Sequence, residues 1–208
     1  MTRFTRLTLG GVAAVALLTS GTVVARTQTT EVPAEVRAGV YELDSAHGKI
    51  TWSVDHLGFS TYYGQFVNVQ ATLKLDPANP SNSSLTATIP LTDVAPNSDG
   101  LKAHLQTADF FDTANHPTAT FVSRSVTVDP EDGNQATVVG DLTLRGVTRP
   151  VTMEVEFNQA GPSMGNVYKT GFDGEATIKR SEFGVNFAIP AVSDEVDLHI
   201  AGEFVLQE

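Results

Sequence analysis

Apolar residues at every second position recur along most of this chain, and this pattern constrains its fold more than any other feature. Ile50, Trp52 and Val54 alternate with polar residues, and the same alternation returns over residues 67–75, 85–91, 138–144, 151–157, 172–178 and 196–206. A strand with one buried face and one solvated face has this period of two. With the segment 119–128, in which Phe121 and Val122 leave the phase ambiguous, the sequence predicts about eight β-strands.

Short turn-forming stretches separate the predicted strands, as the joining of antiparallel neighbours requires. They include Asp76-Pro77, Asp129-Pro130, Asp132-Gly133 and Arg145-Gly146. One longer stretch, 98–111, begins with an N-cap serine and continues with good helix formers, so it predicts one or two short helices. Because long amphipathic helices do not alternate with the strands, the sequence argues against a parallel α/β sheet.

Antiparallel strands that each have one apolar face can form two packed sheets or one closed barrel. Periodicity favours neither arrangement. A barrel of eight strands has an interior that side chains fill or that holds one small ligand. An outer-membrane barrel would turn its apolar face towards lipid. Against that alternative stand the acidic residues spaced along the polar faces, which are Asp173, Glu175, Asp197 and Glu203, and the lack of aromatic girdles.

The first 25 residues have the features of a secretory signal peptide. Two arginines precede an apolar run over residues 7–18 that is too short to span a bilayer. Small residues at Val23 and Ala25 fit a cleavage site after Ala25. An uncleaved membrane anchor is the alternative. The sequence therefore predicts export, to the periplasm or to the medium.

A polar stretch follows the predicted signal peptide. Residues 26–38 have no aromatic residue and no clear period, so we predict a flexible tether. The remaining chain, residues 39–208, is predicted to form one domain. Removal of residues 1–25, with their two arginines, changes the formal charge from −11 to about −13.

Composition excludes several classes of protein. The chain contains no cysteine, so it has no disulfide, no Cys-ligated metal and no thiol nucleophile. Its 24 Asp and Glu residues outnumber its 13 Lys and Arg residues. This balance argues against nucleic acid as a partner, because that affinity depends on basic residues that neutralise phosphates.

Motifs that carry catalysis are absent from the sequence. The five histidines, His47, His56, His104, His116 and His199, show no metal-ligand spacing. There is no P-loop, no dinucleotide-binding glycine motif and no nucleophile elbow. We therefore predict no catalytic residue, no metal site and no cofactor. A pair of acids inside the β-structure could hydrolyse a glycoside, but no acid lies in a clear inward phase.

Several short motifs follow one another in order between residues 41 and 206. They are Tyr41-x-x-Asp44-x-x-His47 with Trp52-x-Val54-x-His56-x-Gly58-x-Ser60 and Gly64-x-Phe66, His104-Leu105 with Asp109-Phe110-Phe111-Asp112, Pro117 to Phe121, Gly140 to Thr148 with Pro150-Val151, Arg180 with Phe183-Gly184, and Ser193 to Val196. In this order the motifs resemble the YceI-like, polyisoprenoid-binding family of exported bacterial proteins. Gly48, where the family usually has Ser, and Lys102, where Arg is commoner, depart from its pattern.

The resemblance implies an all-β fold, an extended eight-stranded antiparallel lipocalin-like β-barrel. It also implies a lipid-binding or transport protein, not an enzyme, that holds an amphiphilic lipid with a polyprenyl, quinone-like or fatty-acyl chain in the interior. Some family members form dimers, so a homodimer is a further expectation. Because an acidic carrier is repelled by anionic lipid surfaces, we also expect delivery through a membrane-protein partner or a local surface patch. Two alternatives stay open: an enzyme that acts on a lipid or saccharide in the same barrel, and a ligand-free, stress-related structural protein.

Eleven residues are predicted to line the interior or to meet the head group of a ligand. They are Trp52, Val54, His56, Phe66, Phe110, Phe111, Phe121, Phe172, Ile178, Arg180 and Phe183. His56 and Arg180 continue the inward phases of their strands, so we predict that one or both contact a lipid head group. The alternative for Arg180 is bonding to local carbonyls or pairing with Glu182.

Two aromatic positions leave further questions open. Phe66 is out of phase with Val67 and Val69, which indicates a bulge or a separate role near Gly64. The Phe110-Phe111 pair, within the predicted helical stretch, either gates one end of the barrel or packs there.

Overall fold

Eleven β-strands and one α-helix form the part of the chain that the computed structural model describes, residues 28–207. The strands are β1 (Gly39–Leu43), β2 (Lys49–His56), β3 (Ser60–Phe66), β4 (Gln70–Leu75), β5 (Ser84–Pro90), β6 (Val94–Ala95), β7 (Thr118–Val128), β8 (Gln135–Leu144), β9 (Val147–Pro162), β10 (Tyr168–Lys179) and β11 (Glu195–Leu206). The helix α1 (Asp99–Leu105) lies between β6 and β7, and the Ser98 side chain caps it by accepting a hydrogen bond from Leu101 N. The predicted signal peptide at 1–25 lies outside the described residues.

Eight strands close into one antiparallel barrel. Their order around the barrel is β1-β4-β5-β7-β8-β9-β10-β11, and pairing of β1 with β11 closes the ring. At this junction Tyr41 lies opposite Leu206, and Leu43 lies opposite Phe204. The eight-stranded all-β barrel is therefore confirmed, and the alternative of two separate packed sheets is wrong.

The other three strands extend one wall of the barrel. β11 pairs with β1 through residues 204–206 and with β2 through residues 197–201, so β1 and β2 follow one another along the same edge. β3 pairs with β2, and the two-residue β6 pairs with β3. Leu105 of α1 belongs to the same buried cluster as Trp52 and Val94, which attaches the helix to this extension.

The alternation over residues 67–75 predicts one strand, but the structure places a strand boundary inside it. β3 ends at Phe66 and β4 begins at Gln70. Between them Asn68 has φ of 58°, a left-handed conformation that interrupts the extended backbone. Phe66 is out of phase with Val69 because the two residues lie on either side of this turn.

The described part of the predicted tether, residues 28–38, packs against the barrel. Thr30 and Ala160 exchange two backbone hydrogen bonds of 2.7 and 2.8 Å. Val36 is buried in one cluster with Phe157 and Ala160. Gly161 permits this close approach, because a Cβ there would lie 2.7 Å from Thr29 Cα.

The antiparallel strands give the barrel two ends, which differ in their loops. We call one the cavity end; it comprises the segment 28–38 and the loops 76–83 and 129–134. We call the other the packed end; it comprises the segment 106–117 and the loop 180–194. All five segments join or flank barrel strands, so the strand register fixes which residues meet at each end.

Candidate functional site

An apolar cavity of about 260 Å³ lies inside the barrel, on the side of the cavity end. Pro33, Pro80 and Asn134 lie at its rim, and its wall extends inward as far as Ile89 and Leu142. One water molecule needs about 10–15 Å³ of such space. The cavity can therefore hold a group much larger than a single water molecule.

Small residues at inward positions create this space. Gly174 and Ala176 of β10 and Gly202 of β11 line the cavity in the phase that faces the interior. Val155 and Ile200 lie opposite Gly174 on the two neighbouring strands. Both remain only partly buried although they face inward, because they border the cavity instead of other side chains.

Polar residues border the cavity mainly at its rim. Asp76, Ser83 and Asn134 come from the loops of the cavity end. Two charged strand residues, Lys49 and Asp173, also border it, but both are exposed. The inner wall is therefore built from aliphatic and aromatic side chains.

Aromatic and aliphatic side chains fill the interior at the packed end. Phe183 and Leu91 are each 1% exposed and belong to one buried cluster. Phe66 and Phe111 pack against that cluster, with their ring centroids 5.5 Å apart. The barrel is closed by side chains at this end, so the cavity is confined to the other half.

Arg145 and the Phe110-Phe111 segment are connected by a hydrogen bond at the packed end. The Arg145 Nη1 donates to the carbonyl of Phe110 at 2.7 Å and to the carbonyl of Gly184 at 3.0 Å. Phe110 also packs against His104 and Phe187, with ring centroids 4.9 and 5.3 Å away. Packing therefore accounts for this segment's position, and its proposed gating role stays a prediction.

Arg180 lies directly after β10 and is 6% exposed. Its guanidinium donates four hydrogen bonds of 2.8–3.0 Å to the backbone carbonyls of Ser193, Val185, Phe187 and Val192. Burial lowers the pKa of Arg180, and the charge of Asp194 opposes that shift. These contacts match the local-carbonyl alternative, whereas a head-group role for Arg180 stays a prediction.

Asp194 completes this polar network beside Arg180. Its carboxylate accepts hydrogen bonds from the Ser181 backbone N–H at 2.8 Å and from the Ser181 hydroxyl at 2.7 Å. The hydroxyl bond is the main reason that the pKa of Asp194 is lowered. Arg180 N also donates to the Asp194 carbonyl at 2.9 Å. The network thus joins the end of β10 to the loop before β11.

Trp52, Val54 and His56 follow one another on one face of β2, outside the cavity. Trp52 is buried and stacks on Tyr62 with a centroid distance of 6.1 Å. Gly64 is required beneath it, because a Cβ there would lie 2.1 Å from Trp52 Cζ2. Val54 packs against the same cluster. His56, at the end of β2, is exposed, so the inward position predicted from its phase is not observed.

The structure divides the eleven predicted residues into two groups. Phe121 and Phe172 line the cavity. The others lie elsewhere, at the packed end or on the part of the wall that β2, β3 and β6 extend. They are Trp52, Val54, His56, Phe66, Phe110, Phe111, Ile178, Arg180 and Phe183. Their role in binding stays a prediction.

Most of the cavity wall comes from residues that the sequence prediction left out. Leu73, Leu85, Met153 and Ile200 are examples. Each one is an apolar residue in the alternating pattern from which the strands were predicted. The phase of the pattern could have found them, whereas a preference for aromatic residues could not.

A cluster of charged residues joins β10, β11 and the turn after β1 outside the cavity. Lys169 Nζ donates to Asp44 Oδ2 at 2.9 Å and to Glu203 Oε2 at 2.8 Å. His47 Nδ1 lies 2.8 Å from the same Asp44 oxygen. Asp44, His47 and Glu203 are close enough together to hold a metal ion. The ammonium group of Lys169 already bonds both carboxylates, so the cluster is explained as a set of ion pairs.

The bond from Lys169 is also the main reason that the pKa of Asp44 falls from 3.8 to about 2. The hydrogen bond with His47 lowers it further. The same two carboxylates raise the pKa of Lys169, with Glu203 contributing most.

Within residues 28–207, no helix has the length and apolar character needed to cross a membrane.

Comparison with known proteins places this arrangement in a family. The family model described as YceI-like domain matches residues 41–204. Protein YceI of Escherichia coli O6:H1 (strain CFT073) is 37% identical over 173 residues, which cover 82% of this chain and 89% of the relative. The match thus spans almost the whole barrel.

Solved structures share the fold. The crystal structure of Burkholderia cenocepacia BcnA has a TM-score of 0.69 and 29% identity, and it covers 79% of this chain and 99% of that protein. A polyisoprenoid binding domain from Saccharophagus degradans, implicated in plant cell wall breakdown, has a TM-score of 0.62 and covers 82% of this chain and 100% of that chain. At 12% identity the second likeness is one of fold alone. With a family model that matches nearly the whole barrel and a relative at 37% identity, the chain belongs to the YceI-like family.

Proposed function

We propose that this protein is an exported carrier that holds one long isoprenoid or fatty-acyl chain inside its barrel. The observation that carries this proposal is the apolar cavity of about 260 Å³. Burial of a chain of about 16 methylene groups contributes roughly 13 kcal/mol before the costs of ordering are subtracted. The description of the Saccharophagus degradans domain as polyisoprenoid binding supports the same class of ligand.

The chemistry of the wall supports binding over catalysis. An enzyme needs acids, bases or nucleophiles within hydrogen-bond reach of the reacting atoms. Here the polar residues Asp76, Ser83 and Asn134 lie at the rim, while the inner wall is apolar. Such a wall excludes water from a hydrocarbon chain and offers it no reactive group.

Export is the second part of the proposal, and it rests on the signal-peptide features of residues 1–25. We place the mature protein in the periplasm or the medium, where it would transfer its ligand to or from a membrane-protein partner. A homodimer is compatible with this role. Cell fractionation of the full chain, with the mature N-terminus read by mass spectrometry, tests export; a protein that retains residues 1–25 in the cytoplasm contradicts it.

Native mass spectrometry of the purified protein tests the binding function. We expect one lipid per chain, identified after organic extraction. After removal of lipid, titration with farnesol should saturate at one molecule per chain and raise the melting temperature, because a ligand that binds the folded state stabilises it. An empty protein that neither binds farnesol nor shifts its melting temperature contradicts the proposal.

A pair of variants on one strand connects binding to the cavity. Val155 borders the cavity, with the small residues Gly174 and Ala136 opposite it. Val155→Phe should fill this space and lower farnesol affinity at least about tenfold, with a stability change below about 1.5 kcal/mol. Thr152→Phe, on the exposed face of the same strand, is the matched control and should leave affinity unchanged. Equal affinity in the two variants would place the ligand elsewhere.

A further inference from the structure

The inner wall of the cavity offers a ligand no partner for a negative charge. Among the described residues, Lys49 is the single basic residue that borders the cavity. Lys49 is exposed, and it alternates with the inward-facing Ile50 at the start of β2. A carboxylate or phosphate inserted into the wall would therefore lose its water without gaining a counter-charge, which is strongly unfavourable.

The rim of the cavity is acidic. Asp76 borders the cavity, and the loop that contributes Asn134 also carries Asp129, Glu131 and Asp132. The two loops, 76–83 and 129–134, contain four acids and no Lys or Arg. The segment 28–38 at the same end adds Glu31, Glu35 and Arg37, so acids outnumber basic residues there by six to one. A ligand whose chain is buried and whose head remains outside would hold that head beside these carboxylates.

Hydrogen bonds restrain three of the four loop acids, which are Asp76, Asp129 and Asp132. The Asp129 carboxylate accepts from Glu131 N at 2.7 Å, and the Asp132 carboxylate accepts from Asn134 N at 3.0 Å. Asp76 accepts from Asn82 Nδ2 at 3.2 Å, and this bond is the main reason that its pKa is lowered. The carboxylates of Asp76, Asp129 and Asp132 are therefore held in place by their own loops.

We infer that the cavity selects amphiphiles whose head group carries no negative charge and disfavours those with a carboxylate or phosphate head. This inference rests on the proposed function, because it concerns the same cavity. An anionic head that enters the cavity first contacts a wall without counter-charges. One that remains outside lies near the four carboxylates of the two loops. A hydroxyl, quinone or ammonium head escapes this repulsion.

Three ligands with one farnesyl chain test the inference: farnesol, farnesyl monophosphate and farnesylamine. Displacement of the uncharged fluorophore N-phenyl-1-naphthylamine from the lipid-free protein reports their affinities. At low salt we expect farnesol and farnesylamine to bind about tenfold more tightly than farnesyl monophosphate. Repulsion of the phosphate by several carboxylates roughly 10 Å away in water accounts for a difference of this size. At about 0.5 M salt the difference should shrink, because the charges are exposed and screened.

Charge variants separate the rim from the overall charge of the protein. In Glu131→Gln/Asp132→Asn, which keeps the side-chain oxygen that Asn134 N bonds, the affinity for farnesyl monophosphate should rise about threefold while that for farnesol stays constant. The matched control is Glu182→Gln/Glu195→Gln, which removes two exposed acids at the packed end. The control should change neither affinity.

Farnesyl monophosphate that binds as tightly as farnesol at low salt would overturn the inference and leave the proposed function intact. A loss of farnesyl monophosphate affinity in Lys49→Gln would also overturn it, because Lys49 would then bind the anionic head. If none of the three ligands binds, the proposed function fails and the inference fails with it. The two ideas are thus distinguished by whether farnesol binds at all.

Discussion

The two ends of the barrel are built from the same alternating strands, yet their interiors differ. At the packed end, Phe183 and Leu91 are each 1% exposed, and the rings of Phe66 and Phe111 pack against their cluster. At the cavity end, Leu73 remains only partly buried although it points inward. Strand pairing runs through both halves, with register shifts only at residues 123–125 and 171–172, so backbone hydrogen bonds do not require a filled interior. Packing at one end therefore leaves space for a ligand at the other.

Polar contacts follow the same division. At the packed end the Arg180 guanidinium is buried and bonds four backbone carbonyls. On the side of the cavity end, Lys169 bonds Asp44 and Glu203 outside the barrel wall. Removing one partner of a buried network costs far more than weakening a partly solvated ion pair. The comparison predicts that stability is concentrated at the packed end.

Arg180→Met should produce the largest effect. It leaves the carbonyls of residues 185–193 without their donors, and we expect a loss of about 4 kcal/mol in the free energy of unfolding, measured in urea. Lys179→Met, one residue away and exposed, is the control and should lose less than about 0.5 kcal/mol. If the two variants were equally stable, the buried network would not anchor the packed end. A tenfold loss of farnesol affinity by the folded variant would instead support the predicted head-group role of Arg180.

The same aromatic truncation at the two ends compares them directly. Phe183→Ala should lower the free energy of unfolding by about 3–4 kcal/mol, because it opens a hole in a close-packed cluster. Phe172→Ala should lower it by about 1–2 kcal/mol, because Phe172 already borders the cavity and is partly exposed. Urea unfolding monitored by circular dichroism gives both values. Equal losses would mean that the two halves are packed alike.

The smallest effect is expected at the ion-pair cluster. The pKa of Asp44 is about 2 in the folded protein, against an ordinary value of 3.8. Its charged form thus stabilises the fold above about pH 4, and that contribution is lost as the pH falls through 2. Because the Asp44 side chain is 26% exposed, we expect about 1–2 kcal/mol.

Asp44→Asn should therefore be less stable than the unsubstituted protein at pH 7, and the difference should narrow towards pH 2. Unfolding in urea at several pH values measures it. Asp173→Asn, which alters an exposed acid on the outer face of β10, is the control and should retain the original pH dependence. A constant difference between Asp44→Asn and the unsubstituted protein would contradict a role for the charge.

Much of the barrel could be predicted because burial of one strand face is a local property of the sequence. The alternation at 172–178 and 196–206 predicts β10 and β11, the strands with the longest continuous pairing. β1 escapes prediction because it has only five residues and begins with glycine. The end of the strand at Asn68 is not predicted either, because the alternation of apolar residues does not show that a residue has a left-handed backbone conformation.

The candidate site was harder to predict, for two physical reasons. A cavity depends on what is missing from the wall, so Gly174 and Ala176 matter as much as Phe172. Strand phase also stops at the end of a strand. β10 ends at Lys179, and Arg180 begins a 3-10 turn that aims its guanidinium at the backbone of the next loop. His56 is likewise the last residue of β2, so its inward phase is not continued by later residues of that strand, and its side chain is exposed.

The position of the described chain ends has a practical consequence for handling this protein. Thr30 is paired with Ala160, and Gln207 N donates to the Val40 carbonyl at 2.8 Å. Both points lie on the side where β1 begins and β11 ends, which is also the side of the cavity rim. A tag or solid support attached directly at residue 28 or residue 207 would stand beside the entrance and obstruct ligand exchange. Immobilisation for sensing or for delivery assays should therefore use the opposite face, around the loop 180–194.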